Sequence, residues 1–291
     1  MLSLVTLCKK VHRLSFVPIA GVAMVLALGA AGCVPVVTDV TALSRPGRHE
    51  VSLPGSGVTL GGILFMPRSS AKPPGAIIVL HGWAEQGVPG APRVEGWARR
   101  LSEQGYVALA LSLRGWPPST GSDDCGMEQP EDVARAAGWL AALPGVNADR
   151  IGVLGFSLGG QVALLAGARS ERIKAIVAYF PITDIQRWRS TTSNAGIRDV
   201  YVPQVCGAGD SNSPVNVVAK IRAPVLLIHG DRDKVVPTEQ SLRMREALQE
   251  ANRYVELLVI GGGDHGFTAD QNEQAWSVVT QFFHMFLASR N

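Results

Sequence analysis

Aromatic side chains are scarce in this sequence. Six Trp, four Tyr and eight Phe make up 6% of 291 residues, and charged residues only 18%, while 46% are hydrophobic. That composition is globular rather than disordered, with apolar weight that is mostly aliphatic. Cysteine is rare too: Cys8, Cys33, Cys125 and Cys206. No Cys/His cluster has zinc spacing, so no metal is expected, and no organic cofactor either. Phosphate-binding signatures are missing: there is no G-x-x-x-x-G-K-[ST], and Gly155 to Gly160 does not fit G-x-G-x-x-G. Acid is absent before Asp39, so Lys9, Lys10 and Arg13 account for the whole formal charge of +3. Beyond them the charges balance, no basic patch stands out, and a nucleic-acid partner is not expected.

The amino end has its own pattern. Lys9, Lys10, His12 and Arg13 precede an uncharged run from Leu14 to Val37 that contains "IAGVAMVLALGAAGC". A positive start, an apolar middle and small residues at the cut describe a secretory signal over residues 1–32. The cysteine directly after "AAG" resembles a bacterial lipoprotein signal, although Ala30 stands where leucine is usual. The resemblance implies lipidation of Cys33. It also implies a membrane partner through that lipid, with outer-membrane delivery favoured because Val34, not Asp, follows. The run is also long enough to span a bilayer uncleaved. All these readings put the folded part outside the cytoplasm, in the cell envelope. There Cys125 and Cys206 form a candidate disulfide, the alternative being two unrelated thiols. Residues 33–47, with Pro35, Pro46 and Gly47, read as a tether.

Residues 48–291 read as one α/β domain. "HEVSLP" and "VTLGGILFMP" suggest an antiparallel pair. "GAIIVLHG", "YVALALSLRG", "DRIGVLGFS", "IKAIVAYFP", "PVLLIHG" and "YVELLVIGG" are short apolar runs typical of strands buried on both faces. Helical patterns lie between them: Val94, Trp97 and Leu101; Val133, Ala137 and Leu140; "TEQSLRMREALQEAN" with a Thr cap; and "QAWSVVTQFFHMFLAS". This alternation predicts a mostly parallel central sheet with helices on both faces. Residues 182–216 are irregular and polar. They are expected to form an insertion over the carboxyl edge of the sheet, with Arg187, Trp188, Arg189 and Tyr201 as candidate substrate contacts.

One stretch carries the chemistry. "RIGVLGFSLGGQVALLAGA" runs from an apolar strand through Gly155-Phe156-Ser157-Leu158-Gly159 into a helix, the context a G-x-S-x-G nucleophile turn demands. Ser157 is thus a candidate nucleophile, and the Leu158 N–H a candidate oxyanion donor. A serine needs a base, and the base an orienting acid, in chain order Ser, acid, His. His12, His49, His81, His229 and His284 fall in the wrong places; His265, after the last strand in "GGGDHGF", remains. "PVLLIHGDRDKVVP" offers two acids, Asp231 and Asp233. Glu128, Glu131 and Asp132 could clamp a substrate amine but equally suit a helix start.

The run "SPVNVVAKIRAPVLLIHGDRDKVVPTEQS" resembles the catalytic-acid region of the α/β-hydrolase superfamily, in its prolyl-oligopeptidase and dienelactone-hydrolase branches. Their G-x-x-D-x-x-V-P pattern falls on Gly230, Asp233, Val236 and Pro237. The resemblance covers roughly residues 50–289. It implies the α/β-hydrolase fold, Asp233 as the acid and Asp231 as a loop brace. It also implies Trp83, after "HG", as the second oxyanion donor, and a structural role for His81. The implied activity is cleavage of a small ester or short-peptide substrate by a serine hydrolase. Leu158 departs from the tyrosine common in the peptidases, and Ser157 from the cysteine common in dienelactone hydrolases.

Overall fold

The two segments of the antiparallel pair and the six apolar runs each form a strand. The computed structural model describes residues 42–68, 72–207 and 211–288; the expected signal, Cys33 and most of the tether lie outside them. In chain order the elements are β1 (Gly47–Pro54), β2 (Thr59–Met66), β3 (Ala76–Leu80), α1 (Glu95–Glu103), β4 (Val107–Leu111), α2 (Gln129–Ala141) and β5 (Ile151–Phe156). There follow α3 (Leu158–Arg169), β6 (Ile173–Tyr179), α4 (Ile185–Thr191), β7 (Val225–Gly230), α5 (Glu239–Glu250), β8 (Val255–Ile260) and α6 (Ala269–Leu287). A π-helical stretch, Ile197–Cys206, lies between α4 and β7. Among the described residues no helix is long and apolar enough to cross a membrane.

The strands form one sheet in the order β1-β2-β4-β3-β5-β6-β7-β8. β2 pairs antiparallel with β1 and with β4, and the other pairs are parallel. Strand alternation divides the core in two. Ile78 and Leu80 join α2, α3 and α5 on one face, through residues such as Leu140, Val162 and Met244. Ile77 and Val79 join α1 and α6 on the other, through Leu101, Val279 and Phe283. With both faces covered, β3, β4 and β7 are buried along their whole length.

Two helix starts differ in chemistry. Thr268 caps α6 with a full capping box, its hydroxyl accepting from Gln271 N–H while the Gln271 side chain accepts from Thr268 N–H. Thr238 was expected to cap α5; instead its hydroxyl donates to the Gly230 carbonyl at the end of β7.

Because β3, β5, β7 and β8 run parallel, their carboxyl ends emerge at one edge of the sheet. Trp83, Ser157, Asp233 and His265 all lie in the segments leaving that edge.

Candidate active site

Ser157 sits between β5 and α3 at φ 54 and ψ −115, a conformation a non-glycine residue holds only when its surroundings impose it. The surroundings are two backbones in contact. A Cβ on Gly155 would lie 2.1 Å from the Gly159 carbonyl oxygen, and one on Gly159 would lie 2.5 Å from that of His81. Any side chain at either place would push strand and helix apart and flatten the turn that thrusts Ser157 outward. The Ser157 N–H donates to the Tyr179 carbonyl at 2.9 Å, which anchors the turn on β6.

A continuous hydrogen-bond chain leads away from that serine. The Ser157 hydroxyl lies 3.0 Å from His265 Nε2, and His265 Nδ1 lies 2.7 Å from Asp233 Oδ2. The other carboxylate oxygen, Oδ1, accepts from Val235 and Val236 N–H at 2.9 and 2.8 Å. Burial alone would raise the Asp233 carboxyl. Hydrogen bonds from His229 and His265, the His265 charge and the Val236 N–H outweigh it and hold the group at about 2. An ionised carboxylate only accepts, so Nδ1 of His265 carries the proton and Nε2 is left to accept from Ser157. Asp231 does something else: its Oδ1 accepts from Gly262 N–H at 2.7 Å and ties the β7 loop to the β8 loop.

His229, set aside in the sequence as a base, is the partner that sequence reasoning missed. It is fully buried, and its Nε2 lies 2.7 Å from the Val236 carbonyl and 3.4 Å from Asp233 Oδ2. Its Nδ1 accepts from the Ser241 hydroxyl at 2.7 Å, so Nε2 holds the proton and braces Asp233 from behind. The available signal was its place four residues before Asp233, at the end of a strand.

The loop after β3 faces the serine from the other side. His81 is fully buried, and burial lowers its imidazole to about 4. Nδ1 donates to the Gly82 carbonyl at 2.7 Å while Nε2 accepts from Leu113 N–H at 3.0 Å. The neutral ring thus fixes the loop and has no free nitrogen for proton transfer. A Cβ on Gly82 would come within 3.2 Å of Ser157 Cβ, so the loop passes close to the nucleophile turn. Next along, the Trp83 N–H donates to no group among the described residues. Leu158 opens α3, so its N–H has no acceptor within the helix. Two unused donors therefore border Ser157, where a developing oxyanion would need them.

The profile of the prolyl oligopeptidase family matches residues 93–289. The chain belongs to that family. Membership makes it a serine hydrolase, and the sheet just described is that of an α/β-hydrolase. A Yersinia pestis protein that bears the name carboxymethylenebutenolidase is 26% identical over 236 residues, spanning 76% of this chain and 79% of its own. An uncharacterised peptidase of Bacillus subtilis is 27% identical over 238 residues, spanning 78% and 89%. Among solved structures, a puromycin-hydrolysing peptidase of Mycobacterium tuberculosis superposes with a TM-score of 0.73 at 23% identity. That likeness covers 87% of this chain but only 41% of the peptidase, so the chain spans about two-fifths of such a structure's length.

Within this prolyl oligopeptidase-family fold, Ser157 and His265 open onto a cavity of about 830 Å³. The expected insertion forms part of its wall. Residues 182–216 are less irregular than their composition suggested: α4 and the π-helical stretch carry Trp188 and Tyr201 into the lining. Arg187 and Arg189, also expected there, lie elsewhere. Arg187 pairs with Glu239 at 2.8 Å, and Arg189 donates to the Arg198 carbonyl. A disulfide joins Cys206, at the end of the π-helical stretch, to Cys125 in the loop before α2. Among the described residues no Asp or Glu lines the cavity. Asp132 is instead buried against Arg114, with contacts of 2.6 and 2.8 Å, and Glu131 pairs with Arg135 along α2. Trp97 and Phe156 line the cavity as well, and neither stood out in the sequence as a contact.

Proposed function

We propose that the protein cleaves carboxylic ester or short-peptide acyl bonds through an acyl-enzyme. Ser157 is the nucleophile, His265 the general base and then general acid, and Asp233 the group that fixes the His265 tautomer. As Ser157 attacks the carbonyl carbon, its proton passes to His265 Nε2. The negative oxygen that forms accepts from the N–H groups of Trp83 and Leu158. Collapse of this adduct returns the proton from His265 to the leaving alcohol or amine, and water repeats the sequence to free the acid. The observation that carries the reading is the unbroken chain from Ser157 through His265 to an ionised, doubly braced Asp233.

The cavity disfavours a free ammonium group: Arg93 is in its lining, and among the described residues no Asp or Glu is. An ammonium group entering it loses hydration and meets a guanidinium and ring faces in place of a carboxylate. Esters and N-acylated amides should therefore be turned over, and amides with a free α-amine should lag at least about tenfold in kcat/KM. A chromogenic panel of acyl esters, N-acylated aminoacyl amides and free aminoacyl amides tests this. Preference for the free-amine substrates would contradict it. Location belongs to the same proposal: residues 1–32 direct export, Cys33 receives the lipid, and the outer membrane holds the protein in the envelope. The disulfide supports an oxidising compartment.

A further inference from the structure

Asp233 sits in a loop of neither helix nor strand between β7 and α5. Two peptide units of that loop face its carboxylate. One joins Lys234 to Val235 and the other Val235 to Val236. The N–H of each donates to Asp233 Oδ1, at 2.9 and 2.8 Å. A trans peptide is planar, and its C=O points away from its N–H. Whatever grips the two carbonyls therefore also sets the direction of the two N–H groups.

Both carbonyls are gripped by the insertion. The Lys234 carbonyl accepts from the Ser193 N–H at 3.1 Å and from the Ser193 hydroxyl at 2.8 Å. The Val235 carbonyl accepts from the Trp188 indole N–H and from the Thr192 hydroxyl, each at 2.8 Å. Trp188 lies in α4 and Thr192 caps its carboxyl end four residues on, so one side of the helix brings both side chains to one oxygen. The Thr192 hydroxyl also accepts from the Asn194 N–H at 3.2 Å, which leaves its own proton for Val235. Trp188 and Thr192 are both buried, so water competes little for these bonds.

We infer that Thr192 and Ser193 are positioning residues for the reaction: through the Lys234 and Val235 carbonyls they aim the two N–H groups that hold Asp233 against His265. The insertion that walls the cavity is then also the outer brace of the catalytic acid. The same bonds polarise the peptide units, and each carbonyl that accepts makes the N–H of its unit a stronger donor. The role of Asp233 in orienting His265 comes from the hydrolase reading above, on which this inference rests. Neither Thr192 nor Ser193 lines the cavity, so their effect falls on kcat and not on substrate binding.

A double-mutant cycle on the full-length protein, with any ester it turns over, tests this. Thr192→Val and Ser193→Ala together remove one donor from each carbonyl. In the parent the pair should lower kcat about 5- to 30-fold at nearly unchanged KM, the size of two lost hydrogen bonds. In the Asp233→Asn protein, which has lost the carboxylate to be aimed, the same pair should lower kcat less than about 2-fold. Thr192→Ser with Ser193→Thr keeps both hydroxyls and should stay within about 2-fold of the parent. Rates are read well below the Tm of each variant, so loss of fold does not enter them. If the pair does not fold, Ser193→Ala alone, at an exposed position, goes through the same cycle with an expected loss of about 2- to 10-fold. A kcat loss of equal size in both backgrounds, a change in KM alone, or no change overturns the inference. If Asp233→Asn by itself leaves kcat intact, the hydrolase reading falls together with this inference. If Asp233→Asn is impaired and the pair is not, only this inference falls.

Discussion

Asp233→Asn should lower kcat about 10³–10⁴-fold and leave KM nearly unchanged. The reason is the set of donors around the carboxylate. Val235 and Val236 N–H both point at Oδ1, while His265 Nδ1, with His229 Nε2 farther off, points at Oδ2. An asparagine must put its NH₂ at one of these sites. Facing the two backbone N–H groups, it meets two donors that cannot adapt. Facing His265, it meets a ring that can move its proton. The amide therefore settles toward His265 and forces the proton onto Nε2, where it points at Ser157 and blocks proton transfer. Binding is untouched, because Asp233 does not line the cavity. Stopped-flow or steady-state rates on any accepted ester check this, and a kcat within tenfold of the parent would contradict it. The same donors carry a pH consequence for stability. The folded carboxyl lies near 2, below the ordinary 3.8. Its contribution to stability is thus complete above the ordinary value and is lost as pH falls toward about 2.

Replacing Cys125 and Cys206 together with alanine should cost about 2–4 kcal/mol of stability and lower Tm by roughly 5–15 °C. The bond joins residues 81 apart in sequence, and a long loop of that kind restricts the unfolded chain most. Both cysteines are buried in a small cluster with Ile185, Trp188 and Val236, so truncating them also removes packed sulfur. Part of the local structure should persist. Gln161 Nε2 and Asn212 Nδ2 each donate to the Cys125 carbonyl at 2.9 Å, which holds that loop without the bond. Loss of the disulfide should therefore weaken the fold more than it displaces Ser157 or His265. Thermal melts of the parent and the double variant, both in non-reducing buffer, measure the effect. A Tm difference below about 2 °C would contradict it.

What could be read from the sequence follows from the range of the interactions involved. The Ser157 turn is local: strand, two glycines and helix lie within one stretch, so the residues specify it directly. The central strands β3, β4 and β7 were readable because burial on both faces leaves unbroken apolar runs, whereas β1 and β8, at the sheet edges, are only partly buried. Asp233 was separated from Asp231 only by resemblance to a family, since both follow β7 and only the fold decides which one reaches His265. His229 was invisible as a partner because its role depends on burial and on Ser241, twelve residues away. The insertion looked irregular for a geometric reason. A π-helical stretch does not repeat at 3.6 residues, and Pro203 lies inside it, so no amphipathic period marks Ile197–Cys206. Arg187 was misplaced because its partner Glu239 is 52 residues away, beyond any local pattern.

The central claim is that Ser157 is a nucleophile activated by His265. Incubation of the native protein with a fluorophosphonate, followed by peptide mass mapping, tests it most directly. The account predicts a single adduct on Ser157, no adduct after Ser157→Ala, and much slower labelling after His265→Ala. A native protein that resists labelling, or an adduct on any other residue, would contradict it.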